Sequence, residues 1–379
     1  MALGVRRRKA CQLFLFVATT YLSAKFGSHT FTHIVSRIDT LNFIRTPMTF
    51  VKFENAKRDS YFAGFWTADS SYHNLVKGDM ICLTDVDRGH VALLLNAWVT
   101  LNSICTYFLA VPSESEVLSD LQRLRIPHVF SQRLLVEVET EVREGATPAY
   151  LAAPMRIKGE LVLQLLEAGF HTFITDADVA HFTSMPAVLT RLRKDGIMVD
   201  GFFSAYYGTS GEGRWQKMLC PQTNMSLLTN TGVASFWPST AMVELVKEAL
   251  AFRADEGWWQ TNFVHQQISG TYEQHVADPM LYIGQGKHNT TMALTTAILS
   301  SLSSDCLSQR SGCTHFHAIG AGGSNHDFSY EEQLIHSRLR TNALKEASFW
   351  VLRADWKLIP VQKSFHKYLS YLEDEVVKQ

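Results

Sequence analysis

The chain has 379 residues, 46% of them apolar and 19% charged, with 35 Lys and Arg against 36 Asp and Glu for a formal net charge of -1. That apolar content supplies a large core and excludes a disordered chain. The balanced charge excludes bulk attraction to nucleic acid or to an acidic surface, so any partner has to be read from a local site.

Arg6-Arg7-Arg8-Lys9 precedes a mostly apolar run from Ala10 to Ala24 that carries no charge until Lys25. A basic flank before an apolar run marks a secretory-pathway segment. The run is shorter than the usual span of about 20 residues, and Leu22 spoils a small-residue cleavage site. We read residues 10–26 as an uncleaved signal anchor behind a cytoplasmic tail of residues 1–9. A cleaved signal peptide and a buried helix are the alternatives, and either secretory reading puts the remainder in a lumen. Residues 27–77 mix aromatics with small polar residues and read as a stem or packing segment, 78–346 as the main domain, and 347–379 as a C-terminal segment with a mixed-charge helix.

Regular α/β alternation begins at Met80. Met80 to Leu83 and Tyr107 to Val111 read as strands around a helix from His90 to Ile104, apolar at Val91, Leu94, Leu95, Trp98 and Leu101. Ser113-Glu114-Ser115-Glu116 fits a capping box that opens a helix bearing Val117, Leu118, Leu121 and Leu124. Val136 and Val138 alternate with Glu137, Glu139 and Glu141, the pattern of a strand exposed on one face. Leu161, Leu165 and Ala168 form one stripe of a helix that carries Arg156 and Lys158 at its head and stops at Gly169. Strand His171 to Thr175 follows. Val199 to Tyr206 and Gly232 to Trp237 read as further strands, Gly208 to Gly213 as a loop, and Ser239 as the cap of a helix bearing Val243, Val246 and Leu250. Repeated strand-helix units imply a mostly parallel, doubly wound α/β sheet flanked by helices.

Six cysteines suit an oxidising lumen without demanding one. Cys306 and Cys313 lie close enough in sequence to close a polar loop, whereas Cys82 and Cys105 in apolar runs read as buried free thiols. Asn224-Met225-Ser226 and Asn289-Thr290-Thr291 are glycosylation sequons.

The chemistry concentrates in Asp-x-Asp. With 17 aspartates, about one such triplet is expected by chance, and the chain has two, Asp85-Val86-Asp87 and Asp176-Ala177-Asp178. Both follow a strand, where ligands bind in open parallel sheets. The second also has Arg156 and Lys158 before it, cations that can approach diphosphate oxygens while paired carboxylates hold a hard divalent ion. Asp85 and Asp87 read as polar turn residues.

The second triplet, with its neighbours in order, resembles the nucleotide-diphospho-sugar transferase family, GT-A glycosyltransferases that include plant cell-wall xylosyl- and arabinosyltransferases. The resemblance rests on Lys158 in a helix ending Leu165-Leu166-Glu167-Ala168-Gly169-Phe170, then Ile174-Thr175-Asp176-Ala177-Asp178-Val179 with Pro186, then Asn230-Thr231-Gly232-Val233, over roughly Met80 to Gly323. It implies a GT-A-like fold and transfer of a hexose or pentose from a nucleotide-diphosphate donor, a UDP-sugar, to a hydroxyl of a glycan or glycoprotein. It implies Mn²⁺ or Mg²⁺ on Asp176, Asp178 and a later histidine, His315 with His317 as substitute. Arg156 and Lys158 would lie near the donor, and Asn230, Thr231 and Gly232 would line the acceptor side. Together with the anchor it implies a type II protein of the Golgi membrane, or a secreted or ER-lumenal one after cleavage. The family's Asp-Gln pair is reduced here to Gln260 within Trp258-Trp259-Gln260, and the Lys expected after the late His-Gly element is missing from Gly320 to Phe328. Trp259, like Trp258, reads equally as a sugar-stacking surface and as core. The missing acid leaves a second class open, a catalytically silent nucleotide- or glycan-binding subunit.

Overall fold

The computed structural model describes residues 47–53, 60–101, 105–144, 149–181, 185–208, 217–219, 226–251, 272–274, 281–285, 287–299, 315–318, 330–346, 350 and 352. The N-terminal apolar run, the loop after Gly208, Asn224, Trp258, Trp259, Gln260, Cys306, Cys313 and all of the final segment except Trp350 and Leu352 lie outside them. Among the described residues no helix is long and apolar enough to cross a membrane.

Strands β1 (Thr49–Lys52) and β2 (Gly64–Thr67) form an antiparallel ribbon. Next come β3 (Met80–Val86), α1 (Val91–Leu101), β4 (Tyr107–Pro112), α2 (Leu118–Leu124), α3 (Gln132–Arg143), α4 (Ala149–Glu167) and β5 (His171–Thr175). They are followed by β6 (Val179–His181), α5 (Met185–Lys194), β7 (Gly201–Gly208), β8 (Lys217–Leu219), β9 (Ser226–Phe236) and α6 (Thr240–Ala251). The described chain closes with β10 (Tyr272–Gln274), β11 (Leu281–Gln285), β12 (Thr291–Leu299), β13 (His315–His317) and α7 (Tyr330–Glu346). The main sheet runs β10-β11-β12-β7-β9-β5-β3-β4. Strands β4, β3, β5, β7 and β12 point one way, and β9 runs against its neighbours β5 and β7. The sheet is therefore mostly parallel and consistent with a GT-A-like fold, with one antiparallel strand in its centre.

Alternation along the strands splits the core into two faces. Ile81, Leu83, Leu109 and Ile174 pack with Leu134, Leu135, Leu161, Leu165 and Val246 of α3, α4 and α6. Cys82, Phe108, Phe173 and Phe202 pack on the other side with Leu94, Leu95 and Leu121 of α1 and α2. Burial on both faces accounts for strands such as His171–Thr175, in which every residue is buried. Helix α4 ends as the sequence requires: Gly169 has φ +90°, its N–H donates to Leu166 O at 3.0 Å, and Phe170 N–H donates to Leu165 O at 2.9 Å. This closed C-terminal motif needs a residue that tolerates a left-handed backbone. Helix α6 starts at the expected cap, with Ser239 Oγ accepting from Met242 N–H at 3.1 Å.

Several expectations are corrected. The alternating Val136–Glu141 segment is helix α3, not a strand. Leu134, Leu135 and Val138 are buried at helical spacing while Val136 is 49% exposed, so the Val-Glu alternation is incidental to a 3.6-residue period. The capping box does not form: Ser113 Oγ donates to Val86 O at 3.2 Å, and the cap position falls on Glu114, which makes no side-chain cap bond and instead accepts from Arg88 N–H at 2.5 Å. Helix α4 begins at Ala149, which puts Arg156 and Lys158 in its middle rather than at its head. Ala149, Ala152 and Ala153 favour the extra turns. Cys82 and Cys105 are not free thiols but are bonded to each other across a Cα separation of 6.1 Å. Their sequence separation hides what the β3–β4 pairing brings within reach.

His171 lies in the buried centre of the sheet, stacked on Trp237 with ring centroids 4.0 Å apart. Ser235 Oγ donates to Thr172 O at 2.9 Å, so His171 Nε2, 2.5 Å from that oxygen, is the donor of their shared bond. Burial, with Arg193 second, lowers its pKa to about 3. Unfolded histidine binds a proton near pH 6.5, so the neutral ring stabilises the fold above that pH, and the stabilisation is lost as pH falls toward about 3. Urea unfolding midpoints should fall from pH 7.5 to pH 4. The curve for His171→Asn should start lower and be flatter, though not flat, because His181 is likewise lowered to about 3.

Candidate metal and anion site

The chain runs from β3 to β4 on one side, then returns through α4 to β5 on the other, so strand order reverses between β3 and β5. Open α/β sheets bind ligands beyond the carboxyl ends of strands at such a point. The pairing Leu83↔Ile174 puts Asp85 and Asp176, each two residues further on, at one level above the α4 face. Lys158 rises from α4 to meet them. Its side chain is fully buried, with Nζ 2.5 Å from Asp85 Oδ1 and 2.9 Å from Asp176 Oδ1. The two Asp-x-Asp triplets are thus two walls of one crevice.

Asp176 and Asp178 converge through a turn rather than along a persisting strand. Val179 N–H donates to Asp176 O at 3.3 Å, and Asp176 N–H donates to Gly232 O at 2.7 Å. The chain then enters β6, which pairs antiparallel with β13. That register sets His317 opposite Val179 and His315 opposite His181, so His317 is the histidine that meets the carboxylates. Its Nε2 is 3.2 Å from Asp178 Oδ1 and 3.7 Å from Asp176 Oδ2. His315, the first choice from sequence, instead lies by His181, with ring centroids 5.7 Å apart. Arg340 of α7 approaches from the far side, its Nε 3.3 Å from Asp178 Oδ2.

Asp176, Asp178 and His317 each offer one ligand atom, all within 4.8 Å of one another. Two hard carboxylate oxygens and an imidazole nitrogen suit Mn²⁺ or Mg²⁺. Electrostatics keep the Asp178 donor ready. Burial alone would raise the Asp178 carboxyl, but Arg340 first and His317 next outweigh it and hold the group far below the usual carboxylate range. Burial would lower the His317 imidazole, but the Asp178 and Asp176 charges raise it, so the carboxylates favour the protonated ring and a bound cation takes the place of that proton. Burial likewise works against the Lys158 ammonium, and Asp176 and Asp85 together overcome it and raise the group. At Asp85 burial wins over Lys158, and its carboxyl goes up.

Arg156 pairs with Glu160 at 2.8 Å one turn along α4, so its charge is spent within the helix. Asn230, Thr231 and Gly232 lie on β9 where its register with β7 jumps from Phe203↔Ala234 to Ser204↔Asn230. The jump carries their backbone against the Asp176 turn. Gln260 and Trp259 lie outside the described residues. The sequence reading missed Asp85 and Arg340 as site residues. The Asp85-Val86-Asp87 triplet itself was the available signal for Asp85. For Arg340 there was none, because α7 buries Gln333, Ser337, Thr341 and Leu344, a face with almost no apolar stripe.

No protein-family description and no curated protein matches the sequence. Solved structures similar to it include two glycosyltransferases and a 4-diphosphocytidyl-2C-methyl-D-erythritol synthase. A glycosyltransferase involved in glycosylation of the major capsid of PBCV-1 is 10% identical over 69% of this chain and 99% of its own, with a TM-score of 0.30. Mouse xyloside xylosyltransferase 1 is 14% identical over 50% of this chain and 81% of its own, with a TM-score of 0.31. The 4-diphosphocytidyl-2C-methyl-D-erythritol synthase of Anaerococcus prevotii is 10% identical over 49% and 81%, with a TM-score of 0.27.

Lys158→Met leaves Asp85 and Asp176 facing each other without a counter-charge. Removing one partner of a buried ion network costs about 3–5 kcal/mol, and urea unfolding at pH 7.5 should show a loss of that size. The unpaired carboxylates of the variant repel, and protonation relieves that repulsion. The deficit should therefore shrink below pH 5, where they protonate.

Proposed function

We propose that the chain is a metal-dependent glycosyltransferase that moves a sugar from a nucleotide-diphosphate donor, a UDP-sugar, to a hydroxyl of a glycan or glycoprotein. The Asp176–Asp178–His317 group at the β3/β5 reversal carries this reading: it provides a divalent-ion site where an open α/β sheet takes its ligand. Bound Mn²⁺ or Mg²⁺ there supplies charge stabilisation to the departing diphosphate, an effect worth several kcal/mol.

The protein groups have separate tasks. Asp176 and Asp178 hold the ion from a short turn fixed at Gly232 and Val179, which limits their movement as charge develops. His317 completes the donor set. Lys158, with no exposed surface, keeps Asp176 and Asp85 apart and oriented rather than reaching outward. The β9 segment Asn230–Gly232 borders the turn and is proposed as the acceptor side, with Gln260 as a contributor to catalysis.

We further propose a lumenal location behind an N-terminal anchor, in the Golgi. The Cys82–Cys105 bond supports an oxidising compartment, as do the sequons at Asn224 and Asn289. The absence of an acid beside Gln260 favours the second reading, a nucleotide-binding subunit without turnover.

Thermal unfolding with UDP, GDP or CMP, each with and without Mn²⁺, tests the donor class. UDP with Mn²⁺, both at about 100 times Kd, should raise Tm by about 5 °C, while Asp178→Asn should abolish the Mn²⁺-dependent part. A shift that survives in Asp178→Asn removes the metal role. Slow UDP-sugar hydrolysis by the wild-type chain selects the enzyme over the silent subunit.

A further inference from the structure

The site holds two fixed cations, and they differ in what they have left to give. Lys158 is fully buried and its ammonium is engaged by two carboxylates. Arg340 is 29% exposed at its side chain, meets Asp178 through Nε at 3.3 Å, and faces the Asp87 charge as well. Among the described residues its two terminal nitrogens make no hydrogen bond or ion pair. Those nitrogens form the fork that suits phosphate oxygens. The two oxygens of Asp178 are divided in the same way, Oδ1 toward His317 at 3.2 Å and Oδ2 toward Arg340. His317 therefore faces one oxygen of the Asp178 carboxylate and the Arg340 guanidinium the other.

Arg340 comes from far along the chain, and its placement depends on a tight landing. Helix α7 docks on the turn Arg88–His90 that follows β3. Gly89 N–H donates to Gln333 Oε1 at 3.1 Å, and the Arg88 guanidinium lies 4.3 Å from the centre of the Tyr330 ring. A Cβ on Gly89 would stand 2.3 Å from Gln333 Cβ and 2.8 Å from its carbonyl carbon. The turn can accept the helix only as glycine.

We infer that Arg340 is a diphosphate-binding residue and that α7, docked through Gln333 on Gly89, is part of the donor site. The inference deepens the proposed function and rests on it. The guanidinium fork takes the anionic end of the donor beside the metal, a task that Lys158 is too buried to perform.

The test separates binding of the ion from binding of the anion. Mn²⁺ alone is titrated by electron paramagnetic resonance, and UDP and inorganic pyrophosphate by calorimetry at saturating Mn²⁺, on the full chain and on Arg340→Gln, Arg340→Lys and Gly89→Ala. Arg340→Gln should bind Mn²⁺ within about threefold of wild type but UDP and pyrophosphate about tenfold or more weakly, the worth of charge-assisted hydrogen bonds. Arg340→Lys, which keeps charge without the fork, should fall between and guards against collapse of α7. Gly89→Ala should weaken UDP without altering any charged group. Equal losses of Mn²⁺ and UDP in Arg340→Gln would mean that Arg340 only orders Asp178, and unchanged UDP affinity would mean that it does not touch the donor. Either result overturns the inference while leaving the donor reading intact. If the wild type binds pyrophosphate but not UDP, and Arg340→Gln loses pyrophosphate, the nucleotide-sugar reading falls and the anion site stands. A wild-type chain that binds Mn²⁺ and neither anion overturns both.

Discussion

Everything at this site depends on one buried ammonium held between two carboxylates. Parallel strands β3 and β5 lie side by side, and their ends would bring Asp85 and Asp176, both only partly exposed, into mutual repulsion. Lys158 removes that conflict. It also ties α4 to the sheet at the point where strand order reverses, so the charge that stabilises the fold and the charge that shapes the crevice are the same. Buried ion networks of this kind are costly to assemble and costlier to break, which leaves the two strand ends little freedom to separate.

Asp176 thereby becomes a fixed point from which the metal-ligand turn is built. Ala318 N–H donates to Asp178 O at 3.1 Å, so β13 is stitched to the turn by its backbone as well as by His317. Around it sits a small cluster of Leu93, Ala177, Ala180, Phe316, Ala318 and Leu344. This cluster joins the turn, β13 and α7 into one packed unit beside the main sheet. The carboxylate of Asp178 is held ionised by Arg340 and His317 despite its burial. A group that would otherwise take up a proton is kept as a ligand by neighbours from two distant segments.

The first Asp-x-Asp divides its work: Asp87 is a polar turn residue, as its sequence position suggested, and Asp85 joins the ion network. Asp87 caps the turn Arg88–His90, accepting from His90 N–H at 3.0 Å and pairing with His90 Nδ1 at 2.6 Å. Burial opposes its charge, and His90 first and Arg340 next hold its carboxyl down. Asp85 serves Lys158, while Asp87 shapes the surface on which α7 lands. One triplet therefore supplies a structural carboxylate to each side of the crevice, and the other supplies the metal ligands.

The sequence by itself determined whatever depends on neighbours along the chain. Local period and local caps set the strands from Met80, Tyr107 and His171, the stripe of α4 with its stop at Gly169, and the cap of α6 at Ser239. The weight given to Asp176 and Asp178 came from residues close by. Where two local periods competed, as in Val136–Glu141, burial by the sheet decided for the helix, which no local pattern could reveal. Only the tertiary structure joined Cys82 to Cys105, chose His317 over His315 through the β6–β13 register, paired Asp85 with Asp176 through Lys158, and delivered Arg340 on a helix whose buried face is largely polar. These are contacts between segments far apart in the chain. Their geometry is fixed by strand order and register, and strand order is not written in any one stretch of sequence.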